Sequence, residues 1–138
     1  LRPGAASYFD RPMTQRARAS VIVPGTQGVL LVHTDGLLML PGGGIEAGEL
    51  PIAAAARELW EETTLQAQAL QFAFNHPSTH NFHHVFVATQ VLGDARPQDD
   101  AAALSLLALA DIQQGRFPEL TSGATRRILL TWASSWAV

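Results

Sequence analysis

The 138-residue sequence predicts one domain of mixed α and β structure, an α+β arrangement within the broad α/β class. Three observations carry that reading: short apolar runs of strand length bounded by Gly, Pro and Asp turn signals, one strongly helical stretch in mid-chain, and a composition able to build a core. Hydrophobic residues make up 47% of the chain and charged residues 15%, which is globular rather than disordered. The length suits a single core. The domain is placed at residues 17–138, behind an N-terminal arm at 1–16 that is broken by Pro3, Gly4 and Pro12.

Residues 19–23 form a short β-rich run closed by Pro24-Gly25, and residues 28–33 (GVLLVH) form a second. Asp35-Gly36 is a hairpin signal, answered by a returning strand at 37–40. The following PGGGIEAGE reads as a glycine-rich loop, neither strand nor helix. Residues 51–63 are the strongest helix, because Pro suits a first turn and AAAARELWEE is rich in helix formers. Strands are expected at 70–75 and 82–92 around a turn at Pro77-Ser78, then a polar loop at 93–100. Residues 101–109 stay open between strand and helix. Thr121 is the expected cap of a final helix carrying Ile128, Leu129, Trp132 and Trp136. Core packing is the default for the three tryptophans, Trp60 included.

The formal net charge is −3 and the pI about 5.9. Neither suits a nucleic-acid duplex, whose partners are usually basic. Small nucleotides stay open, because a metal ion can neutralise their phosphates locally. The absence of cysteine excludes disulfides, Cys-based zinc sites and a thiol nucleophile, and fits a reducing cytoplasm. No apolar run reaches the length of a membrane span, and no signal peptide is evident. The chain opens at Leu1, so a trimmed N-terminus is expected.

On a helical wheel, Glu58, Glu61 and Glu62 share an arc of roughly 100°. Ile52, Ala53, Ala55, Ala56, Leu59 and Trp60 form an apolar stripe on another arc, so the helix is expected to bury one face and present acid on the other. Like charges at these spacings cost on the order of 0.2–0.5 kcal/mol per pair, and the C-terminal turns of a helix disfavour negative charge. A divalent cation resolves that conflict, since carboxylate oxygens suit hard ions. The triplet alone is equally a solvated acidic face; the upstream context decides. Pro41-Gly42-Gly43-Gly44 lacks the Lys-Ser/Thr pair of a P-loop and the frame of a dinucleotide-binding turn.

Gly43, five residues, Glu49, seven residues, then Arg57-Glu58-Leu59-Trp60-Glu61-Glu62-Thr63-Thr64-Leu65 resembles the Nudix box, G-x5-E-x7-R-E-U-x-E-E-x-G-U, where U is bulky and aliphatic. Thr64 stands where the pattern has its second glycine. The resemblance implies a mixed β-sheet sandwiched between α-helices, the box forming loop–helix–loop. It implies Mg2+-dependent hydrolysis (Mn2+ substituting) of a diphosphate linkage in a nucleoside diphosphate derivative, and a small-molecule nucleotide substrate. It makes Glu58, Glu61 and Glu62 metal ligands, gives a backbone carbonyl of Gly42 to a metal, has Arg57 orient a catalytic glutamate and Glu49 support the site, and leaves Glu58 or Glu62 to take the proton from water. Domains of this family often form homodimers. Many members recruit a further acid beyond the box, for which Asp99 and Asp100 are the candidates. Gly43, His80 and His83 are the expected substrate contacts.

The chemistry is coherent without the family name. Water is a poor nucleophile toward a diphosphate, and a metal ion both activates the water and screens the phosphate. His76, His80, His83 and His84 suggest zinc less than substrate contact, because strand alternation puts His83 and His84 on opposite faces. Thr64, β-branched and poor at positive φ, predicts an altered turn after the helix. It also motivates a second hypothesis, a nucleotide-binding or sensor module with weakened catalysis. An unrelated domain with an acidic helix is the third. Nothing in the sequence selects the substrate: a tyrosine that marks some family members is absent near residues 81–83, and Pro77 comes earlier than the proline that marks others.

Overall fold

A computed structural model describes residues 15–136. Along the chain run β1 (Arg16–Ile22), β2 (Pro24–Gly25), β3 (Gly28–Thr34), β4 (Leu37–Met39), β5 (Gly42–Gly44), α1 (Pro51–Thr63), β6 (Gln66–Pro77), β7 (Asn81–Leu92), β8 (Ala103–Leu107), α2 (Leu109–Gln113) and α3 (Gly123–Ser134). The expected arm falls outside the described residues up to position 14, and Arg16 already opens β1.

The strands divide into two sheets. One has the order β5-β1-β7-β6 and is mixed, with β1 parallel to β7 and the other pairs antiparallel. The other is antiparallel, with β3 central between β4 and β8 and with β2 at its end. Strand alternation gives the first sheet two apolar faces. Ala19, Val21, Phe86 and Ala88 pack with Ala54, Ala55 and Leu59 of α1. Their neighbours Ile22 and Val85 pack with Ile112, Ile128 and Leu129 of α2 and α3. Helices on both sides thus cover the sheet, and each large aliphatic side chain so buried contributes about 1.5–3 kcal/mol.

Several expectations change here. The glycine-rich segment is not all loop: Gly42–Gly44 is a strand whose backbone pairs with Ser20, Ala19 and Arg18. Gly42 is needed for that approach, because a Cβ there would collide with the carbonyl of Ala19. Residues 101–109 resolve into the end of a loop, β8 and the start of α2. Ser122, not Thr121, caps α3, its Oγ accepting the Thr125 N–H at 3.1 Å; Thr121 instead bridges to Leu38. Trp136 lies past the end of α3 and meets Trp132 edge-on, with ring centroids 4.5 Å apart. At Asp35-Gly36 both residues have positive φ (52° and 77°), the geometry that a tight hairpin of this hand needs.

The buried face of α1 also differs from the expected stripe. Ala54, Ala55, Leu59, Glu62 and Thr63 are buried, whereas Trp60 is 55% exposed and Ile52 is exposed too. The helix is turned by roughly 90° from the orientation that apolar residues alone select, and the acidic and buried arcs overlap at Glu62.

After α1 the turn is not altered as expected. Thr64 itself takes the left-handed conformation (φ 62°, ψ 6°), and its N–H donates to the Trp60 carbonyl at 2.9 Å. The Thr64 hydroxyl donates to the Asp94 carbonyl at 2.7 Å, which offsets part of the conformational cost. Thr64→Ala keeps the strain and loses that bond, so it should lower stability by about 0.5–1 kcal/mol. Thr64→Gly relieves the strain and should equal or exceed the parent by up to about 1 kcal/mol. Urea unfolding midpoints check the order Gly, Thr, Ala; a glycine variant weaker than the alanine variant would overturn it.

Candidate active site

Three elements converge on the acidic helix: α1 supplies the carboxylates, β5 passes beneath them, and the loop at residues 93–100 closes over the helix end. The carbonyls of a helix's last turn lack partners within the helix. Here Arg96 N–H donates to the Thr63 carbonyl at 2.7 Å and Gln98 N–H to the Glu62 carbonyl at 3.0 Å. Gln98 Nε2 donates to the Trp60 carbonyl at 3.0 Å. The loop is thereby fixed on the helix, and Asp100 comes close enough for its charge to act on Glu62. Asp99 occupies a left-handed turn position, φ 51°.

Glu62 is 7% exposed, and its Oε1 accepts the Gly42 N–H at 2.8 Å. Burial pushes its carboxyl up to about 7, with Glu58 and Asp100 adding to the rise and Gly42 and Arg18 opposing it. Burial also pushes Glu58 up. The Glu58 carboxylate lies directly over the α-carbon of Gly43, where any side chain would displace it. Gly43 therefore makes room for a carboxylate, and it is not among the residues lining the neighbouring pocket.

Arg57 holds the rest together. Its Nε and Nη2 bond both oxygens of Glu49, at 2.8 and 2.9 Å; Nη1 reaches Glu58 at 2.7 Å and Glu61 at 3.0 Å; and Nη2 also donates to the Gly44 carbonyl at 3.1 Å. Those bonds match the five N–H donors of a guanidinium. Arg57 holds Glu49 at about 2, well below the usual carboxylate range. Arg57 thus ties the loop to the helix through Glu49 and bonds two further glutamates, Glu58 and Glu61, on the helix itself.

Among the described residues no three carboxylate or imidazole groups converge into a ready-made cation cage. Arg57 is the counter-charge of Glu58 and Glu61, and a bound cation would compete with it for the same oxygens. The donor chemistry nonetheless suits a hard divalent ion: clustered carboxylates, two of them raised by burial and mutual repulsion.

A pocket of about 310 Å3 lies beside this region, bounded by β1, the β6–β7 turn and the start of α3. His80 and His83 both line it. His80 is exposed, whereas His83 is 4% exposed, with Nδ1 2.9 Å from Ser20 Oγ and Nε2 3.3 Å from Ser78 Oγ. Burial first, then the Arg18 charge, push His83 down to about 4, so it is a neutral ring. His84 is buried too, against Phe82. Neither His83 nor His84 is thus an exposed turn residue. Phe74, Phe82 and Phe86 do not line this pocket.

Sequence reasoning missed Arg18 and Arg127. Arg18 lies in β1, lines the pocket, and senses the charges of Glu62 and Glu58, so it stands between pocket and box. A charged residue alternating with the alanines of β1 was the available signal. Arg127, one turn into α3, had none.

A sheet covered by helices on both faces, with a glycine strand under an acidic helix, defines the fold class, and comparison with known proteins identifies the family. The NUDIX domain family matches residues 13–131, and the chain belongs to the Nudix family. It is similar to a crystal structure of a Nudix hydrolase family member from Chromobacterium violaceum, at 27% identity and TM-score 0.80, over 93% of this chain and 83% of that one. It shares its fold with a MutT Nudix hydrolase from Burkholderia pseudomallei, at 22% identity and TM-score 0.72, over 84% and 96% of the two chains. RNA pyrophosphohydrolases of Cereibacter sphaeroides are 36% identical over a stretch covering 36% of this chain. That stretch spans only 39% of those relatives' length. No helix among the described residues is long and apolar enough to cross a membrane.

The raised Glu62 has a consequence for metal-free protein. Between pH 4.5 and 7 the folded state holds a proton that the unfolded chain releases. Stability in EDTA should therefore fall as pH rises through that window, by on the order of 3 kcal/mol, and level off above it. Glu62→Gln should flatten this slope and be the more stable protein at pH 8 by chemical denaturation. An unchanged slope would assign the titration elsewhere.

Proposed function

We propose that this protein hydrolyses a diphosphate linkage in a nucleoside diphosphate derivative with metal-activated water, using Mg2+ or Mn2+. The observation that carries the reading is the pairing of a buried Glu62 and a half-buried Glu58, both pushed up by burial, with a guanidinium-braced Glu61 on one helix. Glu58, Glu61 and Glu62 would hold the metal, with the Gly42 carbonyl as a further donor and Asp100, rather than Asp99, as the additional acid. A bound divalent cation neutralises phosphate oxygens and lowers the pKa of water.

The chain's own residues supply the rest. Glu62, pushed up to about 7 by burial, suits proton acceptance from water near physiological pH, and burial pushes Glu58 in the same direction. Arg57, anchored by Glu49, fixes Glu58 and Glu61. Arg18 places positive charge on the pocket side of the box. His80 and His83 line the space where the substrate's remaining group sits. Thr64, which motivates the sensor-module alternative, holds the left-handed turn position after α1, which supports the catalytic reading.

A panel of nucleoside di- and triphosphates, nucleotide sugars, dinucleoside polyphosphates and an RNA carrying a diphosphate linkage, with Mg2+ or Mn2+, identifies the substrate by phosphatase-coupled phosphate release. Glu61→Gln and Glu62→Gln should each lower kcat by about 10²-fold or more while the fold persists; undiminished turnover in both would sink the assigned roles. Mg2+ should raise the thermal midpoint of the parent and not of the double variant.

A further inference from the structure

The 310 Å3 pocket has a charge pattern of its own. Arg18 and Arg127 line it together with His80 and His83, and neither Asp nor Glu is among its lining residues. Among the described residues neither arginine has a carboxylate within salt-bridge distance; those ion pairs belong to Arg57 and Arg116. The Arg127 guanidinium is folded back over the first turn of its own helix, with Nη1 3.1 Å from where a Cβ on Gly123 would stand. A cation at the positive end of a helix is unfavourable on its own. The charges of both arginines also reach His83, and that of Arg127 reaches His76. Hydroxyl and amide groups from Ser78, Thr79 and Asn81 complete the polar wall, and Leu40 and Ile128 an apolar one.

We propose that this pocket seats a second anionic group of the substrate, a phosphomonoester or carboxylate carried on the part of the molecule remote from the scissile diphosphate. An anion there gives both guanidiniums a counter-charge, a phosphomonoester dianion fully, and removes the conflict between Arg127 and the helix end. A neutral nucleobase does neither. Arg18, bordering both pocket and carboxylates, would separate the two anionic ends of one ligand. The inference rests on the proposed hydrolysis only in treating the bound anion as part of a substrate.

Binding is tested first, without turnover. The full chain in EDTA is titrated with ribose 5-phosphate, ribose and guanosine while the backbone amides of Gly123 and Ala124 and the Arg127 Nε–H are followed by NMR. Ribose 5-phosphate should shift them saturably in the millimolar range and ribose should not. Arg127→Gln should weaken the effect at least tenfold, and Arg127→Lys should restore part of it. Equal shifts from ribose or guanosine, no saturable response to ribose 5-phosphate, or an unchanged response in Arg127→Gln would each overturn the proposal. Kinetics then separate the two readings. Arg127→Gln should raise KM about tenfold for a substrate bearing a remote phosphate or carboxylate, with kcat unchanged, and leave a substrate without that group unaffected. Equal KM changes for both would also overturn it. Absence of any hydrolysis would reject the proposed function while the binding result stood by itself.

Discussion

The structure turns on a carboxylate placed where an apolar residue would ordinarily pack. Glu62 faces inward and accepts the Gly42 N–H. An isolated buried carboxylate is unstable unless it is hydrogen-bonded, paired or protonated. The remaining geometry follows from that demand. The strand at Gly42–Gly44 passes between β1 and the helix, so Gly42 makes room for the Ala19 carbonyl and Gly43 for the Glu58 carboxylate. Arg18 lies near enough to moderate the charge, and the loop at 93–100 packs over the helix end.

Arg57 is the complement to Glu62. Glu62 holds the helix to the strand beneath it from inside the site, and Arg57 holds the helix at its outer rim to the loop through Glu49 and to the end of β5 through Gly44. A rigid frame of this kind keeps repelling carboxylates together before any cation arrives, at the cost of raised proton affinity in two of them.

Much of this was legible in the sequence. The helix at 51–63, the hairpin at Asp35-Gly36 and the strands at 28–33 and 82–92 follow from turn chemistry and propensity, which act locally. The acid triplet was legible as a shared face, because helical spacing is fixed. Its inward member was not. A wheel ranks residues by polarity, and Glu62 is buried because of Gly42, 20 positions away in sequence. Trp60 was misplaced for the same reason, since rotating the helix toward Glu62 turns the indole outward. The GGG strand was hidden because glycine carries no β signal, its pairing with β1 being set by partners rather than propensity. The pocket joins β1, the β6–β7 turn and α3, and no local pattern reports such a meeting.

Thr64 carries a consequence beyond stability. The position requires a backbone state, and a hydroxyl reaching the Asp94 carbonyl lets a β-branched residue hold it. A sequence signature that insists on glycine there is stricter than the geometry it encodes. Relatives that swap the glycine for a hydroxyl residue, with a loop carbonyl in reach, would slip through such a filter with their carboxylate arrangement intact.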